Sequence, residues 1–108
     1  MFLEDLEKIL EKRIEEFQKN KDKPLDELRK LSYTMYILKK GEDKIIQKFG
    51  EEAIETLIEF KNKNKDRIIY ETCDLLYFLT LLLKLNNISW KEILKELESR
   101  HGKKSKNT

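Results

Sequence analysis

Five carboxylates stand at spacings that can do chemistry: Glu51, Glu52 and Glu55 in one run, then Glu71 and Asp74 in the next. Residues three or four apart share a helix face, so each run would present at least two carboxylates to one side. Glu51–Glu55 and Glu55–Glu59 are like charges four apart, each costing an isolated helix roughly 0.2–0.5 kcal/mol. Glu52 falls at the edge of an apolar arc formed by Ile45, Ile46, Phe49, Ala53, Leu57 and Phe60. Glu71 lies on the stripe of Leu75, Phe78, Leu82 and Leu85, with Asp74 near Leu81. A carboxylate removed from water must be paired, protonated or bound to metal.

Two helices packed antiparallel with such runs can surround one or two hard cations. Mg²⁺ is the expected ion, because it takes oxygen ligands and keeps waters that phosphate oxygens can replace. Each run alone is weak evidence, since Glu-x-x-Glu is common in helices and Lys48 stands four residues before Glu52 as a neutralising partner. Their occurrence on consecutive helices, one pair within an apolar stripe, favours a cation.

The elements that must position these residues are helical. Leu3, Leu6, Leu10, Ile14 and Phe17 recur every three or four residues and mark a first helix. NKDKP (20–24) breaks it. A weaker helical stretch spans 25–38, interrupted around Ser32-Tyr33-Thr34, and Gly41 ends it. A strong helix starts near Glu42 or Asp43 and runs to about Lys61. Asp66 is the expected cap of the next, from Arg67 to about Leu85. Ser89-x-x-Glu92 reads as a capping box opening a last helix that Gly102 closes. The expected fold class is all-α: a bundle of four to five helices in one domain over 1–102, with a disordered basic tail at 103–108.

Composition narrows the function classes. Only 3 Gly and 1 Pro in 108 residues leave little turn chemistry for an all-β fold. The 23 basic and 21 acidic residues nearly cancel to +2, which removes the main argument for a nucleic-acid binder. The single Cys cannot form an internal disulfide, the N-terminus lacks the basic start and apolar run of a signal peptide, and no stretch is long enough to span a bilayer. A cytoplasmic location is expected.

The order Glu51-Glu52-x-x-Glu55 then Glu71-x-x-Asp74 resembles the metal signature of the all-α NTP pyrophosphohydrolases. Within that superfamily, GEDKIIQKFGEEAIETLIEFK, ETCDLLYFLTLLL and ELESRHG resemble the phosphoribosyl-ATP pyrophosphohydrolases, over about Ser32 to Gly102. The resemblance implies hydrolysis of the α–β phosphoanhydride of phosphoribosyl-ATP to phosphoribosyl-AMP and pyrophosphate, the second step of histidine biosynthesis. It implies Glu52, Glu55, Glu71 and Asp74 as Mg²⁺ ligands, and Glu51 as a further ligand or the group that orients water. Two departures stand out. Many relatives carry His where this chain has Phe78, and the Lys-rich connector 20–31 replaces a Pro/Gly-containing loop. From the length, the cyclohydrolase domain fused to some relatives is expected to be absent.

Other residues admit two readings each. Lys44 and Lys48 are phosphate donors or salt-bridge partners; Ser32 and Tyr33 contact ribose or phosphate, or cap a short helix. Arg100 and His101 complement the last helix's dipole or contact phosphate or ribose. Cys73 reads as a small buried apolar residue and Trp90 as a packing anchor. A house-cleaning nucleoside triphosphate pyrophosphohydrolase is the alternative enzyme reading; an acidic helical interaction module is the non-enzymatic one. A homodimer is expected, because Leu75–Leu85 is apolar on nearly every face.

Overall fold

Helix boundaries follow the local capping chemistry closely in the computed structural model, which describes residues 1–102. The basic tail expected at 103–108 lies outside those residues. The described chain forms six helices and no strand: α1 (Phe2–Asn20), α2 (Leu25–Leu31), α3 (Tyr33–Lys40), α4 (Glu42–Asn62), α5 (Lys65–Leu85) and α6 (Trp90–His101). The all-α expectation holds, and the weak stretch at 25–38 resolves into two short helices around an extended Ser32. The Ser32 side chain accepts the Met35 amide at 3.3 Å and caps α3.

Gly41 joins α3 to α4 with φ 104°, a left-handed conformation that a side chain would strain. Lys63 closes α4 in the αL conformation and sends its amide to the Glu59 and Phe60 carbonyls. Asn64, not Asp66, caps α5, its Oδ1 accepting the Arg67 amide at 3.2 Å. The short turn therefore lets α5 start two residues earlier than the periodicity indicates, and α4 and α5 fold back as a long helical hairpin. Each has 21 residues, about 31 Å at 1.5 Å per residue.

The core sits where α1, α3, α4 and α5 meet. Leu10, Ile37, Ile45, Phe78 and Leu81 are buried there, with Leu6, Ile14, Phe49, Tyr77, Leu82 and Leu85 packed around them. The start of α6 is tied in by a polar network. Buried Glu7 accepts the Trp90 amide at 2.8 Å, the Trp90 indole N–H donates to Thr80 Oγ1 at 2.9 Å, and the Thr80 hydroxyl donates to the Leu76 carbonyl. Ser89 and Glu92 form the expected capping box.

Two expectations about burial change. Leu75–Leu85 is half-buried or buried throughout, because α1 and α4 pack along it and the first turn of α3 meets it at Tyr77 and Phe78. The apolar surface left in water lies instead on α4 and early α5: Ile46, Ile54, Leu57, Ile58, Phe60, Ile69 and Tyr70 are all at least half exposed. Among the described residues only α3 and α5 flank α4 extensively, and they leave the far half of its apolar arc without cover. Cys73 is exposed rather than buried, since it points away from the α4 contact. No described helix is long and apolar enough to cross a membrane.

Candidate metal centre

The α4–α5 hairpin brings the two acidic runs face to face. One carboxylate oxygen each from Glu52, Glu55 and Glu71 lies within 4.8 Å of the others. Glu71 is 3% exposed and Glu52 8%, because their stripes turn toward the neighbouring helix. Glu52 Oε2 and Glu71 Oε1 are buried and, among the described residues, have no hydrogen-bond partner. Two acceptor-only groups face each other with no donor between them, so one must take a proton or both must share a cation.

The electrostatics say the same. Burial, and then the Glu71, Glu55 and Asp74 carboxylates around it, raise the Glu52 pKa from its usual range to about 7. Asp74 is raised as well, chiefly by burial and then by Glu71, with Arg67 and Lys48 opposing. Two orphaned oxygens, a third acid in reach and an all-oxygen donor set fit a divalent metal ion.

The remaining acids divide. Asp74 faces the same space as Glu52 but stands outside the tight group of three. Glu51 lies one residue, about 100°, around α4 and is exposed. Gln47 donates to it at 2.9 Å and Lys48 pairs with it at 3.5 Å. The Gln47 hydrogen bond, with help from Lys48 and Lys44, holds its carboxyl below the usual range. Lys48 thus pairs with Glu51 rather than with Glu52, at i+3 instead of i+4.

Beside the carboxylates opens a pocket of about 360 Å³ lined by Tyr33, Lys48, Glu52, Asp74, Tyr77 and Phe78. Tyr33 and Lys48 are therefore brought to the acids, while Lys44 sits a turn further back, half-buried. Ser32 acts as a helix cap. Arg100 and His101 are not brought there within one chain: Arg100 pairs with Glu96 at 2.9 Å, and α6 packs chiefly on α1.

Some of the site was not legible from spacing. Arg67 Nη2 donates to Glu71 Oε2 at 2.7 Å and its Nε lies 3.6 Å from Glu59 Oε2, so one guanidinium orients two acids. The i,i+4 relation of Arg67 to Glu71 was available as a signal; the reach to Glu59 across the turn was not. Tyr77 forms a hydrogen bond with Thr34, which fixes α3 to α5 beneath the pocket. Burial pushes its phenol up to about 12.

Comparison with known proteins agrees with this arrangement. The family model for phosphoribosyl-ATP pyrophosphohydrolase matches residues 3–101. A phosphoribosyl-ATP pyrophosphatase of Bacillus cytotoxicus is 46% identical over 101 residues, covering 94% of this chain and 91% of that protein. One of Bacillus mycoides is 42% identical over 104 residues, covering 96% and 91%. The histidine biosynthesis bifunctional protein HisIE of Caldanaerobacter subterraneus is 45% identical over 100 residues, which span 93% of this chain and 47% of that protein. With nearly its whole length matched and the acidic runs set in one hairpin, the chain belongs to the phosphoribosyl-ATP pyrophosphohydrolase family.

Proposed function

We propose that residues 1–102 act as one all-α domain that hydrolyses phosphoribosyl-ATP to phosphoribosyl-AMP and pyrophosphate, in histidine biosynthesis. The observation that carries this reading is the group of Glu52, Glu55 and Glu71 within 4.8 Å, two of them with orphaned buried oxygens. Glu52, Glu55, Glu71 and Asp74 would hold Mg²⁺. The ion supplies charge neutralisation at the triphosphate and acidifies bound water.

The chain's own residues do the rest. Water adds at the α–β phosphoanhydride, the P–O bond to pyrophosphate breaks, and the water proton passes to a carboxylate. Glu52 is placed for that task, because it lines the pocket beside the space a metal-bound water would occupy. Glu51, kept ionised by Gln47 and Lys48, orients the water from the rim. Lys48 and Lys44 meet phosphate oxygens, and Tyr33 contacts the nucleoside at the pocket wall. Ser32, through its cap, sets the angle at which Tyr33 enters.

We also infer a homodimer. A radius of gyration of 16.4 Å exceeds the ~13 Å of a compact 100-residue domain, and the α4 apolar face is open to a second copy. Arg100 and His101 could reach phosphate or ribose only through such a partner. We place the reaction in the cytoplasm, where the unpaired Cys73 stays reduced.

The decisive assay is pyrophosphate release from phosphoribosyl-ATP, against a panel of deoxynucleoside triphosphates, with Mg²⁺ and with EDTA. Preference for phosphoribosyl-ATP and loss on chelation are expected. Equal turnover of the deoxynucleotides would favour the house-cleaning reading; EDTA resistance would refute the metal centre.

A further inference from the structure

The pocket wall does not end at Tyr33. Its ring meets Phe78 edge-on at 6.4 Å and Tyr36 at 5.9 Å between centroids. Phe78, Tyr33 and Tyr36 thus form an aromatic strip leading outward from Glu52 and Asp74. At its outer end Tyr36 carries two cations: the Arg29 guanidinium carbon lies 5.1 Å from the ring centroid and the Lys40 ammonium 5.2 Å. Arg29 comes from α2 and Lys40 from the last turn of α3.

These cations lack the partners that usually explain surface charges. Among the described residues, neither has a carboxylate within 4 Å. Asp26, three residues before Arg29 on α2, does not reach it. Lys39 next door differs, since its ammonium donates to the Lys21 carbonyl. Cation–π attraction at an exposed site contributes only about 0.5–1 kcal/mol per pair, and the two charges repel each other across one ring. An anion bridging them would relieve that repulsion.

We propose that Arg29 and Lys40, over Tyr36, form a second anion seat that takes the terminal phosphate of the substrate's phosphoribosyl arm. This rests on the reading of the substrate as phosphoribosyl-ATP, whose triphosphate and ribosyl phosphate lie at opposite ends of the adenosine. With the triphosphate at the carboxylates, the exposed Tyr33 ring, backed by Phe78, accommodates the nucleoside and the seat takes the far phosphate. A guanidinium grips phosphate through two parallel N–H bonds, and an ammonium adds a point charge. The seat is remote from the scissile bond, so it acts on KM and on discrimination against ordinary nucleoside triphosphates, which lack the second phosphate.

The test compares the Mg²⁺-loaded wild type with Arg29→Gln, Lys40→Gln and the double variant. KM and kcat for phosphoribosyl-ATP are measured, together with the inhibition constant of ATP. Each single variant should raise KM for phosphoribosyl-ATP by about tenfold and the double variant by more, with kcat within twofold and the ATP inhibition constant unchanged. Unchanged KM in an active protein would overturn the seat while leaving the substrate reading intact. Parallel weakening of ATP would overturn it too, because the effect would then lie in the fold or the triphosphate site. A wild type that releases no pyrophosphate from phosphoribosyl-ATP would refute the substrate reading and the seat with it.

Discussion

Glu52→Gln should stabilise the metal-free protein, and only at high pH. The Glu52 carboxyl has a folded pKa of about 7 against an ordinary value of 4.5. At 1.36 kcal/mol per pKa unit, that gap corresponds to roughly 3 kcal/mol of preference for the protonated form. The repulsion is shared with Glu55, Glu71 and Asp74, and these side chains relax on ionisation, so replacing one partner should recover about 1–2 kcal/mol. The sign follows from linkage. A carboxyl raised in the folded state binds its proton more tightly there than in the unfolded chain. Its contribution is therefore full below pH 4.5 and is lost as the pH climbs through 7. The amide mimics the protonated form at every pH and can donate to the orphaned Glu71 Oε1.

Thermal melts in EDTA are the assay, with wild type and variant compared at pH 5 and pH 8. Near-equal melting temperatures at pH 5, and a variant melting roughly 5–10 °C higher at pH 8, are expected. Saturating Mg²⁺ should reverse the order at pH 8, because the ion stabilises a site that keeps its charge. A variant less stable at pH 8, or a difference independent of pH, would refute the claim that Glu52 is strained by its neighbours.

Further outcomes can be measured directly. Glu71→Ala and Asp74→Ala should each abolish Mg²⁺-dependent pyrophosphate release with helicity intact by circular dichroism; full activity in both would sink the site. Thr80→Val should cost about 1–3 kcal/mol in urea unfolding, since it leaves the Trp90 indole N–H buried without its acceptor. Phe78→His should alter kcat only modestly, and a large gain would show that an imidazole belongs in this pocket. Sedimentation equilibrium at micromolar concentration should give twice the 13.1 kDa chain mass. Leu57→Glu, in the open face of α4 at 66% exposure, should shift that mass toward the monomer; a wild-type monomer would remove the dimer.

The amino-acid sequence by itself determined the helical elements and the spacing of the acidic runs. Both are local matters: apolar spacing of three to four residues, the Ser89 capping box, and the carboxylate spacings 51–52–55 and 71–74 are all read within a few turns of chain. The burial of Glu71 was legible too, because its stripe is otherwise apolar. Tertiary structure decided what lies across a helix–helix contact, where periodicity says which face is apolar but not what covers it. Leu57 and Phe60 share an arc with Ile45, yet they stay in water because α5, which flanks that end of α4, packs on its other side and no other described element covers them. Cys73, between two buried-facing acids in sequence, points away from the contact. Lys48 takes Glu51 rather than Glu52, and Arg67 reaches back over the turn to Glu59, since side-chain rotamers and helix approach set those pairs. The Phe78–Tyr33–Tyr36 strip joins residues more than forty positions apart, and only the docking of α3 onto α5 brings them together.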